Sequence, residues 1–221
     1  MGSKFVAASV VLAGLLASAA ALAQGAVNHI PYNDLAEIQR KFAGTKAPHD
    51  RVALQTRAKP KDESRAPGSV TMVIRAKAGD IPVPVAEDGT FALPLDPALE
   101  AENPQVEVNV EKGGLGVQLI LLANLPGQEF AYADLAAAFE QFDAVFDEHA
   151  GMASFLAPSA KRVSLRCGAG CTATLERAAG PETLTADADG MVFIPRDRKL
   201  AKENPAIRVS APVTEALIRT K

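Results

Sequence analysis

The side chains that could do chemistry are few, and the sharpest group is Cys167-Gly168-Ala169-Gly170-Cys171, which holds the chain's only two cysteines. Paired cysteines in a chain with an export leader, described below, read as a disulfide. The three residues between them form a Gly-rich turn between two alternating segments. Residues facing each other in a non-hydrogen-bonded antiparallel pair lie about 4.5 Å apart at Cα, within disulfide range. The expectation is therefore a bond from Cys167 to Cys171 that staples a hairpin. So small a loop stabilises by at most about 2 kcal/mol. Redox enzymes use C-x-x-C beside a βαβ pattern, and neither the spacing nor the context fits. Two sulfurs with no nearby histidine do not make a zinc site.

The three histidines do not converge. His29 lies in the N-terminal stretch and His49-Asp50 reads as a loop before the first long strand. His149 follows Asp143, Asp147 and Glu148 on a predicted helix. Asp143 and Asp147 stack at i, i+4 and would suit a divalent ion, but a polar face opposite a phenylalanine stripe is the ordinary amphipathic pattern. There is no Gly-x-Ser-x-Gly and no Ser-x-x-Lys. Gly113-Gly114-Leu115-Gly116 runs into a strand-like segment, not into a helix carrying Lys-Ser/Thr, so it is no phosphate loop. No catalytic, cofactor-binding or metal-ligating residue is predicted. Five of the nine phenylalanines (Phe130, Phe139, Phe142, Phe146 and Phe155) fall within 26 residues. Phe139, Phe142 and Phe146 share a helix face, which either builds a core or offers a groove to an apolar ligand or partner helix.

These side chains are carried by a chain that repeats itself. Residues 69–109 and 170–210 align without a gap at an offset of 101, with 12 identities in 41 positions. Tyr32-Asn33-Asp34-Leu35-Ala36 matches Tyr132-Ala133-Asp134-Leu135-Ala136, and these hold the only two tyrosines. Each tyrosine precedes a helical stripe: Leu35, Ile38 and Phe42 in one copy, Leu135, Phe139, Phe142 and Phe146 in the other. Asn33 is expected to cap the first helix, and Gly44 and Gly151 to stop the two helices. Short alternating segments follow in both copies. Asp88-Gly89 and Asp189-Gly190 predict tight turns. Asp96 and Asp197 predict a capped helical turn, and Asn103-Pro104 and Asn204-Pro205 its end. Most shared residues thus have a backbone role. Glu102 and Glu203 have none that the sequence shows, so any site made twice would be sought there.

The expected fold is α+β and β-rich: two tandem related modules, each one helix plus five or six short, mainly antiparallel strands in a sandwich-like or open-sheet arrangement. Residues 1–23 read as a signal peptide, 24–126 as the first module and 127–221 as the second. In the leader, Lys4 precedes an apolar run from Phe5 to Leu16, and Ala21-Leu22-Ala23 forms an A-x-A cleavage site. Loss of the leader, whose one charged residue is Lys4, takes the net charge from −3 to −4. Such acidity disfavours nucleic-acid binding, which needs a basic face. The later apolar run Val117–Leu125 is too short to span a bilayer.

The Tyr32–Leu35 opening, Leu93-Pro94-Leu95-Asp96 running into Asn103-Pro104-Gln105-Val106, and Tyr132-Ala133-Asp134-Leu135 leading into Gly151-Met152-Ala153-Ser154-Phe155 together resemble an uncharacterised family. It comprises exported gammaproteobacterial proteins that share a domain of unknown function. The resemblance implies a periplasmic protein and assigns no catalytic or binding residue. The Asp88–Phe91 turn and strand is also similar to prealbumin-like modules, a likeness of architecture. The functional expectation is a periplasmic or secreted, non-enzymatic protein that binds or scaffolds in the envelope, without a cofactor. Its partner would be a protein or an apolar ligand, and not a nucleic acid. The alternatives are a carrier using the Phe139/Phe142/Phe146 face and a hydrolase assembled from residues distant in sequence.

Overall fold

The computed structural model describes residues 27–150 and 158–221. The expected leader lies outside them, as do Gly151, Met152, Ser154 and Phe155. The chain is a β-rich α+β protein of fourteen strands and four α-helices among the described residues. The first half contains β1 (Asn28–Pro31), α1 (Tyr32–Ala43), β2 (Val52–Pro60), β3 (Met72–Ala76), β4 (Gly79–Val83), β5 (Thr90–Phe91), α2 (Pro97–Glu102), β6 (Gln105–Val108) and β7 (Leu115–Ala123). The second contains β8 (Glu129–Ala131), α3 (Tyr132–Ala150), β9 (Arg162–Arg166), β10 (Thr172–Arg177), β11 (Gly180–Thr185), β12 (Met191–Pro195), α4 (Arg198–Glu203), β13 (Ala206–Val209) and β14 (Glu215–Arg219). Each half therefore holds seven strands, the additional one being the short strand just ahead of the long helix. The capped turns expected at Asp96 and Asp197 are the short helices α2 and α4.

One four-stranded sheet has the order β1-β6-β3-β4, and the other, read from its far edge, β8-β13-β10-β11. Their registers correspond: Ile74 faces Val106 as Leu175 faces Ile207. Alternation explains why these segments form half-buried strands. Met72, Ile74, Val106 and Val108 are buried in the first sheet, and Ala173, Leu175, Ile207 and Val209 in the second. The remaining strands form a six-stranded sheet, β12-β9-β14-β7-β2-β5, with three strands from each half. Its join is slight. β2 and β7 pair over nine residues, whereas β7 and β14 pair only at Leu122 and Leu217.

The first core gathers Tyr32, Leu35, Met72, Ile74, Phe91 and Val106 beneath α1. The second gathers Leu135, Phe139, Phe142, Val163, Leu165 and Ile207 around α3, and it also takes Val52, Ala123 and Phe42 from the first half. A third cluster, Ile120, Met191 and Leu217, lies across the join. The stripe on α1 thus splits its contacts, with Leu35 in its own half's core and Phe42 against the other's.

Helix entry corrects one sequence expectation. α1 begins at Tyr32 with Pro31 at its N-cap and no side-chain cap, so Asn33 does not cap it. The cap comes from a distant residue: Asn103 Oδ1 accepts from the Asn33 N–H at 2.9 Å. In the second half Asn204 Oδ1 accepts from the Ala133 N–H at 2.7 Å. Both asparagines end a short helix in the left-handed region, at φ 48° and 49°, which asparagine tolerates better than other side-chain-bearing residues.

Candidate functional site

Cys167 and Cys171 are disulfide-bonded, with their Cα atoms 5.8 Å apart. They do not staple a hairpin, as the sequence reading had it. β9, before the bond, lies in the six-stranded sheet, and β10, after it, in a four-stranded one. The bond closes the corner where the chain passes between sheets. That corner is tight against the Asp189-Gly190 turn: a Cβ on Gly190 would stand 2.8 Å from the Gly168 carbonyl carbon. In the first half a Cβ on Gly89 would stand 2.5 Å from the Ala58 carbonyl oxygen. Close approach to another stretch of backbone, the corner for Gly190 and strand β2 for Gly89, thus calls for glycine in both Asp-Gly pairs, as turn geometry also does.

Glu102 and Glu203 prove to have the backbone role the sequence did not show. Glu102 Oε1 accepts from the Lys77 N–H and Glu203 Oε1 from the Ala178 N–H, both at 2.6 Å. Each carboxylate closes a four-stranded sheet's hairpin turn. The Ala178 N–H and the Arg177 guanidinium hold the Glu203 carboxyl below its ordinary value. The tyrosines tie helix entry to strand exit. Tyr132 donates its hydroxyl to the Pro195 carbonyl at 2.8 Å and accepts from the Asp197 N–H at 2.7 Å. Tyr32 donates to the Pro94 carbonyl.

Much of the polar face of α3 is engaged by the chain, while Asp147 stays exposed. Asp143 pairs with Arg196 and accepts from the Ala160 N–H at 2.8 Å. Glu148 accepts from the Lys46 N–H at 2.9 Å and the Ala47 N–H at 2.8 Å. These two N–H groups hold its carboxyl below the ordinary glutamate value. His149 Nε2 lies 2.7 Å from Thr45 Oγ1, and Gln141 Oε1 accepts from the Arg51 N–H at 2.6 Å. α3 thereby latches residues 45–51 of the first half. His29 is on edge strand β1, and His49 packs edge-on to Phe42 with ring centroids 5.2 Å apart. No cluster of three or more His, Cys, Asp or Glu side chains suited to a metal ion occurs among the described residues.

A cavity of about 670 Å³ opens where α1 and α3 meet the six-stranded sheet at its join. One side is apolar: Phe42 from α1, Leu121 from β7, and Phe142 and Phe146 from α3. The rings of Phe142 and Phe146 are 4.7 Å apart at their centroids. Of the three phenylalanines singled out from the sequence, the cavity brings together Phe142 and Phe146. Phe139 is fully buried in the second core. Charged side chains also line the cavity. Glu215, buried to 7% side-chain exposure, pairs with Arg57 of the first half and, at 3.3 Å, with Arg166 of its own. Arg57 also reaches Asp88 at 3.0 Å. Burial alone would raise the Asp88 carboxyl, but the Thr90 N–H and hydroxyl and the Arg57 guanidinium hold it below the ordinary aspartate value.

Sequence reasoning missed Arg57, Arg166, Arg219 and Glu215, all of which line this cavity. The one local signal is an acid next to the apolar run Ala216-Leu217-Ile218. A carboxylate buried in such a strand requires a cationic partner. A second hollow of about 520 Å³ lies between α3 and α4. Its Lys161, Arg196 and Arg198 are matched by Glu140, Asp143 and Asp197, so it presents no charge preference.

Fold and site define a β-rich α+β protein in which two similarly ordered halves share one sheet and enclose a cavity at its join. The chain belongs to the family described as a protein of unknown function, DUF2987, whose sequence profile matches residues 29–167. That stretch includes the cavity walls supplied by α1, β2, β7 and α3, and stops short of β14. No curated protein and no solved structure matches the chain. Among the described residues no helix is long and apolar enough to cross a membrane.

Proposed function

We propose that this is an exported, non-enzymatic binding protein built from two copies of one module, and that the cavity between the copies holds an apolar ligand. The observation that carries this reading is the cavity: about 670 Å³, with an aromatic wall from α1 and α3. Ligand pockets commonly measure roughly 300–1,000 Å³ and are mainly apolar with a few polar groups. Export is supported by the Lys4–Ala23 leader pattern and by the Cys167–Cys171 bond, since disulfides persist in oxidising compartments. The 101-residue offset with corresponding registers supports the two-copy reading.

The test is native mass spectrometry of mature protein purified from an exporting cell, together with titration by the neutral fluorophore N-phenyl-1-naphthylamine. A bound species removed by organic solvent, after which the fluorophore binds, is expected. Leu119 lines the cavity and is 47% exposed, so Leu119→Trp fills space without a large cost in stability and should lower fluorophore binding. Protein that carries nothing and binds no fluorophore would overturn the reading.

A further inference from the structure

We infer that the ligand is a single-chain amphiphile with an anionic head, its chain lying along Phe42, Phe142 and Phe146 and its head drawn to the charged part of the lining, where Arg166 and Arg219 keep donors. This rests on the cavity reading above and adds the chemical class of the ligand. The warrant is charge. Four cationic side chains line the cavity (Lys41, Arg57, Arg166 and Arg219) against one carboxylate, Glu215. With Glu37 and Asp88, which pair with Lys41 and Arg57, the four cations stand against three carboxylates, so the cavity keeps an excess of one positive charge in a chain whose net charge is −3. Concentrating one sign of charge in a hollow with low-dielectric walls focuses the field and draws the opposite ion.

Two of the four cations are already committed. Arg57 is held by Glu215 and Asp88, and Lys41 pairs with Glu37 on its own helix. Arg166 shares Glu215 at 3.3 Å through Nε and directs Nη1 to the Asp189 carbonyl at 3.5 Å, which leaves Nη2. Among the described residues Arg219 spends only its Nε, on Ser164 Oγ at 2.9 Å. No aspartate or glutamate occurs in residues 1–26 or 151–157, so those residues bring no carboxylate to it. Arg166 and Arg219 therefore keep guanidinium N–H donors for a planar or tetrahedral anion, the group that arginine binds best. The aromatic wall in the same cavity requires that the anion carry an apolar chain, which separates this ligand from a free inorganic ion or a sugar.

The experiment compares dansyl-labelled undecanoic acid with its methyl ester, which have the same chain and fluorophore and differ in charge. The acid should bind about tenfold more tightly than the ester, the ratio that one charge-assisted contact confers. Arg166→Gln with Arg219→Gln should remove that ratio and leave the ester unchanged. Both arginines are exposed, and the melting temperature of the double variant verifies its fold. Oleate or a lysophosphatidate should displace the acid, and which does so better distinguishes a carboxylate from a phosphate head. Equal binding of acid and ester by the unaltered protein, or equal displacement by neutral monooleoylglycerol, would overturn the anionic head and leave the apolar cavity standing. Failure of both probes to bind would overturn the cavity reading and this one with it.

Discussion

Asn204 does two things at once. Its backbone sits at φ 49° to end α4, and its Oδ1 caps α3 through the Ala133 N–H. Asn204→Ala loses the cap, worth about 1 kcal/mol, and leaves a Cβ in the left-handed region without the local hydrogen bond, roughly 1–2 kcal/mol more. Asn204→Gly loses the cap alone. Urea denaturation should show the alanine variant less stable than the glycine variant, by roughly the left-handed cost. Equal midpoints would show that the backbone conformation there carries no strain. Asn103 and Asn204 were legible in sequence as helix stops, because Asn-Pro is a local signal. Their capping role was not, since each caps a helix some 70 residues earlier in the chain. Glu102 and Glu203 were misjudged for a related reason: each partner N–H lies 25 residues away.

The element with most to explain is α3. Its apolar positions were readable from period alone, with Leu135, Phe139 and Phe142 buried as the spacing required. Its acidic face follows the ordinary amphipathic pattern, yet much of it grips residues 45–51. Glu148 offers the clearest measurement. Its carboxyl is held below the ordinary 4.5 by the Lys46 and Ala47 N–H groups. A carboxylate whose folded value is depressed stabilises fully above its unfolded value and loses that contribution as pH falls through the folded one. Glu148→Gln keeps an acceptor but not the charge. The melting temperatures of the two proteins should therefore differ at neutral pH and converge as pH drops below 4.5. A gap that persists unchanged into acid would show that the latch does not depend on ionisation. The disulfide belongs to the same scale. The pair is legible as Cys-x-x-x-Cys, but strand partners are not, so the spacing points to a hairpin where the chain in fact changes sheets.

For the whole molecule the deciding feature is the join. The two halves have separate main cores, yet Ile120 of one half packs with Met191 and Leu217 of the other, and Arg57 pairs with Glu215 across 158 residues of sequence. The halves should therefore unfold together. Each half contains one tyrosine, Tyr32 or Tyr132, so single-tyrosine variants report them separately by fluorescence. Coincident urea transitions are expected. Leu217→Asp, which buries an unpaired charge in the joining cluster, should separate them. Transitions that already differ without this substitution would show that the join contributes little coupling.

The β-rich class, the turns, the helix stops and the cysteine pair follow from sequence by itself, because each depends on residues within one element or one turn of each other. The cavity does not. Its walls come from α1, β2, β7, α3, β9 and β14, and its cations and its carboxylate stand at positions 41, 57, 166, 219 and 215. Strand alternation shows that β7 and β14 each have a buried face, but not which strands will be neighbours. Only tertiary pairing of β7 with β14, limited to Leu122 and Leu217, places a buried acid of one half beside an arginine of the other and leaves a hollow next to them.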